Sequence, residues 1–161
     1  HARARPHTHS PLQALAYQTR QIVEVLEGGG HQPLASVVAC GGLSKNRLYI
    51  TTHADVLALP CHLPKQEEAV ILGAAILGAA AGGAHASVVQ AMAAMSAVGE
   101  TVHPATARDP ATVAHDMRTR SAQRTQVQGA QHLADLHERK YAVFLRMAED
   151  QRAYRRIMAG N

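Results

Sequence analysis

Apolar side chains near the start of the chain recur at the three- and four-residue spacing of an amphipathic helix. Ser10 and Pro11 form a helix-start signal, because an N-cap oxygen precedes the one residue that needs no amide donor at the first helical position. The predicted helix ends at the glycine run 28–30. Its apolar stripe consists of Leu12, Leu15, Thr19, Ile22, Val23 and Leu26.

A strand and a second helix are predicted next. The run Val37 to Cys40 is apolar, rich in β-branched residues and bounded by Gly and Pro signals, which predicts a fully buried strand. A pair of glycines ends this strand, and helical spacing from Lys45 to Leu57 predicts a helix. A short extended piece, Cys61 to Leu63, then lies between two prolines.

The segment Ala69 to Ala81 is apolar on every side. It is shorter than the ~20 residues that cross a bilayer and rich in Gly and Ala, so we interpret it as a buried core helix and not as a membrane span. Glu67 and Glu68 precede it, where carboxylates suit the positive end of the helix dipole. Gly73 and Gly78 are expected to let other backbone elements come close, so a leucine at 73 should overpack the contact.

Two more helices are predicted, with a low-complexity stretch between them. Ser87 caps a short helix that contains Val88 and Met95 and ends at Gly99. Residues 106–131 are dominated by Ala, Arg, Thr and Gln with little apolar periodicity, which indicates an insert or flexible linker, with transient helix as an open alternative. Residues 132–160 show the stripe of a long amphipathic helix.

The chain is expected to fold as one α/β domain, since 161 residues allow one core and leave little room for a second. Residues 1–10 are a low-complexity run without an apolar period and are predicted to be disordered. Residues 11–105 form the main body, 106–131 the insert, and 132–161 the terminal helix of the same domain. The start at His1 looks truncated.

Composition narrows the classes of function. The formal charge is +4, but the basic residues are spread along the chain, which argues against nucleic-acid binding. No signal peptide precedes the two cysteines, so we expect a reducing, cytoplasmic compartment and no disulfide framework. Neither a membrane nor a nucleic acid is therefore an expected partner.

The succession of strand, glycine pair and helix is the one local arrangement with an obvious chemical use. Gly41 and Gly42 allow a ligand to approach the backbone at the carboxyl end of a strand, with Lys45 and Asn46 at the helix start. Taken alone, a plain tight turn explains the pair better. Neither the dinucleotide fingerprint nor the P-loop motif is present.

Other constellations favour structural roles. The 11 histidines lack partners at ligand spacing, so no metal site is predicted. Cys40 has no nearby base and is interpreted as a buried structural thiol. Glu67 and Glu68 are adjacent on a helix and point in different directions, which favours capping over a catalytic pair. No catalytic residue is predicted.

Two runs carry a resemblance to a known family. Ala39 to Asn46, followed by His53 to Asp55, resembles the adenosine motif in the C-terminal domain of FGGY carbohydrate kinases, and within them the ribulokinase-like subgroup. Leu63-Pro64 with Glu67 to Ala75 is similar to the glycine-containing helix at the hinge of these kinases. Two further runs match in order along the chain. Leu12 to Tyr17 resembles the helix before the adenosine strand, and Tyr141 to Leu145 with Asp150, Gln151 and Tyr154 looks like the family's terminal helix.

The resemblance implies a fold and a site. The fold would be a partial, helix-rich ribonuclease H-like lobe of the actin, hexokinase and heat-shock ATPase superfamily, with ATP and Mg²⁺ as cofactors. Gly41, Gly42 and Asn46 correspond to positions that line the adenine and ribose pocket in similar kinases. Ser44 and Lys45 are neighbours with a weaker claim.

The departures from the family are equally informative. Nothing in the chain matches the sugar pocket, the catalytic Asp or the glycine-rich phosphate loop, and Mg²⁺ ligands are missing too. The resemblance therefore implies the ATP-binding part of a kinase for a pentulose such as ribulose, inactive alone, whose sugar would be held by a missing N-terminal lobe. The alternative is a non-catalytic binding module or a non-functional gene fragment. An incomplete lobe is also expected to self-associate.

Overall fold

The computed structural model describes residues 6–106 and 120–160, with side chains from 11–106 and 129–160. Five helices and three strands make up this part of the chain. They are α1 (Pro6–Gly28), β1 (Val37–Val38), a 3-10 turn (Gly42–Lys45), α2 (Arg47–Leu57), β2 (Cys61–Pro64), α3 (Ala69–Ala81), α4 (Val88–Met95), β3 (Val98–Val102) and α5 (Arg120–Met158).

The three strands form one small mixed sheet in the order β1, β2, β3. β1 runs parallel to β2, with Val37 opposite Cys61, and α2 makes the crossover between them. β3 runs antiparallel to β2, with Val102 opposite Cys61, and the pairing is irregular between Leu63 and Pro64. Cys61 therefore lies at the centre of the sheet.

Two small clusters of buried side chains stabilise the fold. The first lies between α2 and the sheet and contains Ile50, Ala54, Cys61 and Val102. The second lies where α1, α2 and α5 meet, and contains Ala16, Tyr17, Val56 and Tyr141, with Phe144 and Leu145 against it. Helix α2 contributes to both clusters and thereby joins the sheet to the helical layer.

Helix α1 begins earlier than its start signal predicted. It starts at Pro6, so Pro11 lies inside the helix and the predicted start at Ser10 is wrong. Pro11 has no amide to donate to the carbonyl four residues before it, and the first turn lacks one hydrogen bond. Residues 6–10 of the predicted disordered start are helical, and residues 1–5 lie outside the described residues.

Strand β1 is not buried as predicted. It is an edge strand with a single neighbour, and Val38 is 67% exposed. Cys40, just beyond it, is exposed as well, so its interpretation as a buried structural thiol is wrong, whereas Cys61 is buried. The short apolar run before the glycine pair indicates that a strand forms. It does not indicate how many layers of secondary structure cover that strand.

Helix α3 has the predicted bounds but not the predicted burial. Ile76 is its one buried residue, and Val70 is 87% exposed. A Cβ atom built on Gly73 or Gly78 meets nothing within 4 Å, so the expected close approach, and with it the expected overpacking at 73, is wrong. No helix in the described ranges 6–106 and 120–160 is long and apolar enough to cross a membrane.

The stretch after α3 contains an element that the sequence analysis missed. Ser87 caps α4 as predicted, since its Oγ accepts from the Gln90 amide at 3.2 Å. The helix ends at Met95, however, and Gly99 lies within β3. Helix α5 begins at Arg120, inside the predicted insert, while residues 107–119 lie outside the described part of the chain.

Candidate functional site

The connection between β1 and α2 is built around Gly41. The Ala39 amide donates to the His62 carbonyl at 3.0 Å, which holds the chain beside β2 until just before the turn. Gly41 then adopts φ 89° and ψ −175°. This combination is essentially restricted to glycine, so the glycine at 41 is a conformational requirement of the turn.

The next residues form a tight 3-10 turn that leads into α2. The Ser44 amide and hydroxyl both donate to the Gly41 carbonyl, at 3.1 and 2.6 Å. Asn46 caps α2, because its Oδ1 accepts from the Leu48 and Tyr49 amides at 3.0 and 3.3 Å. Ser44 and Asn46 thus have structural roles, and the helix starts after Asn46 and not at Lys45 as predicted.

The surface of this turn is open. A Cβ atom built on Gly41 or Gly42 meets nothing within 4 Å, and both residues are exposed. A flat ligand can therefore contact the backbone at these two residues without displacing a side chain. The arrangement lies at the carboxyl end of a parallel strand, which is where α/β sheets bind nucleotides.

Lys45 connects the turn to the segment before α3. Its Nζ lies 2.7 Å from Glu67 Oε2. Hydrogen bonding to Glu67 raises the pKa of Lys45, and the same bond lowers the pKa of Glu67. Glu68 occupies the N-cap position of α3 without a side-chain cap hydrogen bond. The capping role predicted for the pair is therefore not observed, and Glu67 instead forms an ion pair with the turn.

A second polar cluster, between α1 and α5, was missed by the sequence analysis. Arg20 donates to both carboxylate oxygens of Glu138, at 2.6 and 3.1 Å, and to Glu24 at 2.9 Å. Its guanidinium also lies 4.2 Å from the centre of the Tyr141 ring, and the Tyr141 hydroxyl donates to Glu24 at 2.6 Å. We call Arg20, Glu24, Glu138 and Tyr141 the Arg20 cluster.

The Arg20 cluster perturbs the acid–base properties of its surroundings. Hydrogen bonding to Arg20 lowers the pKa of Glu138, and burial raises the pKa of Tyr141 to about 12. Next to it, the Tyr17 hydroxyl and His137 Nδ1 are 3.0 Å apart, and both residues are buried. Burial lowers the pKa of His137 and raises that of Tyr17 to about 12. The neutral forms of His137, Tyr17 and Tyr141 are therefore favoured, whereas Glu138 is held in its charged form.

A cavity of about 310 Å³ lies beside the Arg20 cluster, between α1, the end of α2 and α5. Its polar lining includes Glu27, Asp55 and His137. Glu27 Oε1 accepts from the Leu34 amide and Asp55 Oδ1 from the Ala105 amide, each at 2.8 Å, so these carboxylates fix loops to helices. None of the predicted site residues lines the cavity.

The predicted site residues lie together in one exposed turn. Gly41 and Gly42 provide an open backbone surface, Ser44 and Asn46 shape it, and Lys45 is paired with Glu67. Among the residues that the structure describes, no three His, Cys, Asp or Glu side chains are grouped so that they can hold a metal ion.

Comparison with known proteins finds similarity to one family of kinases. Residues 5–82 match the C-terminal domain of the FGGY family of carbohydrate kinases. An FGGY carbohydrate kinase domain-containing protein of Homo sapiens is 38% identical over 147 residues, which are 91% of this chain and 22% of that protein. A ribulokinase of Mycolicibacterium smegmatis is 43% identical over 84 residues, 52% of this chain and 15% of the kinase.

The fold is confirmed by a solved structure. Xylulose kinase from Rhodospirillum rubrum superposes with a TM-score of 0.51 and 26% identity over 84% of this chain and 24% of that kinase. The fold is therefore the expected partial, helix-rich lobe of the actin and hexokinase ATPase type. The chain spans about a fifth of the length of the human relative.

Proposed function

We propose, because residues 5–82 match the FGGY C-terminal domain, that this chain is the ATP-binding part of a carbohydrate kinase. Such a kinase transfers the γ-phosphate of ATP to a sugar hydroxyl. The similarity to carbohydrate kinases favours this function over a non-catalytic binding module or a non-functional gene fragment.

The open turn at Gly41 and Gly42 is the observation that carries the proposal. The adenine ring is flat, and it would lie against the two glycines with the ribose beside it, where no side chain intervenes. Asn46 uses its Oδ1 to cap α2, which leaves its amide nitrogen to meet the nucleotide. Ser44 and Lys45 stabilise the turn through their bonds to Gly41 and Glu67, respectively.

The described residues do not complete a phosphoryl-transfer site. Phosphoryl transfer needs a positioned acceptor hydroxyl, a base and charge neutralisation by Mg²⁺ and basic groups. The open glycine turn supports the ATP proposal, but no set of metal-ligating side chains is found in the described part of the chain, so we assign no residue to Mg²⁺. We therefore expect nucleotide binding without turnover.

A pentulose such as ribulose is the proposed sugar of the complete kinase. The proposal is supported by the likeness of about half of the chain, 84 residues, to a ribulokinase and by the superposition on a xylulose kinase. The sugar would bind to a lobe outside this chain. We also propose a cytoplasmic location, since the two cysteines, Cys40 and Cys61, are both free thiols.

Calorimetric titration with ATP, for wild type and a Gly42→Val variant, tests the site. Gly42 has ordinary backbone angles and open space around its Cβ direction, so valine should fold normally and block only a ligand. We expect weak binding to the wild type and at least a tenfold loss in the variant, since the ligand cannot reach the backbone.

The matched control is Gly28→Val. Gly28 also has open space and ordinary backbone angles, but it ends α1 and lies outside the turn. Equal ATP affinity in wild type and Gly42→Val would contradict the site. An equal loss in both variants would show that the effect is not local.

A further inference from the structure

The turn that carries the proposed nucleotide surface has no buried anchor of its own. Residues 41–46, which we call the glycine turn, include no buried residue, and Leu43 is 54% exposed. The Ser44 and Asn46 amides donate to carbonyls inside the turn, so these bonds set its curvature. They do not fix its position relative to the sheet. A ligand that lies on the backbone depends on that position, because a preorganised surface binds without a further ordering cost.

One side-chain contact joins the glycine turn to a distant part of the chain. Lys45 Nζ lies 2.7 Å from Glu67 Oε2. The other hydrogen bonds of the turn stay within it or lead into α2. In the described ranges 6–106 and 120–160, this ion pair is therefore the only hydrogen bond or ion pair between the turn and an element other than α2.

Glu67 can serve as an anchor because the backbone on both sides of it is held. The Lys65 amide donates to the carbonyl of Ala97, the residue before β3, at 2.8 Å. The Ala69 amide, at the start of α3, donates to the Glu67 carbonyl at 3.1 Å. A carboxylate on such a segment restricts the position of Lys45, and through it the end of the glycine turn.

The neighbouring Glu68 shows that the pairing is selective. Glu68 carries the same charge and is also exposed, but it forms no ion pair among the described residues, and its side chain does not cap α3. Hydrogen bonding to Glu67 is the main cause that raises the pKa of Lys45, whereas the charge of Glu68 contributes least. Lys45 is therefore held by Glu67 and not by the pair of carboxylates as a whole.

We propose that Lys45 and Glu67 are positioning residues of the nucleotide site, whose ion pair holds the glycine turn in the orientation that adenine and ribose meet. The inference rests on the proposed function, but it requires neither side chain to touch the nucleotide. Both side chains are exposed, so the contribution of the pair is modest. Its loss should weaken nucleotide binding about two- to fivefold.

NMR titration of the chain with adenosine tests the positioning role. Adenosine carries no charge, so a change of charge in the protein does not by itself alter its affinity. Glu67→Gln should weaken binding about two- to fivefold, because an amide cannot form the ion pair. Glu68→Gln is the matched control and should bind adenosine as the wild type does.

A charge-swapped variant tests the pair itself. Lys45→Glu should weaken adenosine binding, since two carboxylates then face each other. Lys45→Glu combined with Glu67→Lys should recover most of this loss, because the ion pair is rebuilt in the reverse order. The difference between wild type and Glu67→Gln should also shrink in about 1 M NaCl, where exposed charges are screened.

Hydrogen exchange in the ligand-free chain provides a readout that needs no nucleotide. The Ser44 and Asn46 amides close the glycine turn, and they should exchange about two- to fivefold faster in Glu67→Gln than in the wild type or in Glu68→Gln.

The outcomes separate this inference from the function on which it rests. A wild type that binds no adenosine would overturn the proposed function and the inference with it. Equal adenosine affinity in wild type and Glu67→Gln would overturn the positioning role alone. So would a charge-swapped variant that binds no better than Lys45→Glu, or amide exchange that Glu67→Gln leaves unchanged.

Discussion

At the scale of single residues, the backbone angles of Gly41 require a glycine. Its φ of 89° and ψ of −175° are strained for any side chain, although the space around it is open. Gly41→Ala should therefore lower the free energy of unfolding by about 1–3 kcal/mol. Gly42→Ala, which has open space and no such backbone angle, is the control and should change stability by less than about 1 kcal/mol. Urea denaturation measures both, and equal losses would contradict the backbone explanation.

His137 makes stability depend on pH. Burial lowers its pKa in the folded protein below the ordinary value of 6.5, so the unfolded chain takes up a proton first as the pH falls. As the pH drops below about 6.5, the free energy of unfolding should therefore decrease. It should level off once the folded form is protonated as well. His53 is also buried with a lowered pKa and acts in the same direction.

The His137→Asn variant isolates this contribution. Asparagine places a polar atom near Nδ1, so Tyr17 keeps a hydrogen-bond partner, but the side chain does not titrate between pH 4 and 8. Tyr17, Arg20, Asp55, Glu138 and Lys140 supply the surrounding polar and charged groups in both proteins. Denaturation at several pH values should show a shallower pH dependence in the variant. Parallel curves of unfolding free energy against pH in the two proteins would exclude His137 as a source of the pH dependence.

At the scale of elements, the joint between α1 and α5 depends on the Arg20 cluster. Arg20→Ala removes two ion pairs and the contact with the Tyr141 ring, and should lower the free energy of unfolding by about 1–2 kcal/mol. The estimate is modest because the two carboxylate partners are about half exposed.

Arg146→Ala, which removes an arginine from α5, is the control. Its ion pairs with Glu149 and Asp150 are longer, at 3.4 and 3.5 Å, and its side chain is 74% exposed. The expected change in the free energy of unfolding is below about 0.5 kcal/mol. Equal changes in the free energy of unfolding for the two substitutions would mean that the Arg20 cluster stabilises the protein no more than an exposed surface charge does.

Periodicity and turn chemistry predicted several elements because these signals are local. The bounds of α3, the Ser87 cap and the extended piece that became β2 are correct. Strand β3 was missed because its one glycine, Gly99, suggested the end of a helix. The start of α5 was placed too late, since Arg, Gln and Ala are good helix formers even without an apolar stripe.

Burial could not be read from the same signals. A helix such as α3 is apolar on all sides, so its sequence does not indicate which face is buried. Its burial depends on the elements that pack against it. The glycine turn was predicted from residues adjacent in sequence. The Arg20 cluster joins residues 118 positions apart, and nothing in the spacing along the chain indicates such a pair.

For the whole molecule, the proposed function predicts binding without catalysis. Purified chain mixed with ATP, Mg²⁺ and ribulose, xylulose or glycerol should release no sugar-dependent ADP above a protein-free blank, because we assign no acceptor site or base among residues 6–106 and 120–160. A coupled assay for ADP makes the measurement. Saturable ADP formation that requires one of these sugars would contradict the prediction.

The separation along the chain of the two buried clusters has a consequence for the order of folding. β1, α2 and β2 lie within residues 37–64, so the contacts among Ile50, Ala54 and Cys61 close short loops, and Val102 joins their cluster from β3. The contact between Tyr17 and His137 closes a loop of 120 residues. Helix α5 should therefore dock late in folding. Arg20→Ala should mainly accelerate unfolding, whereas Ile50→Val should slow folding.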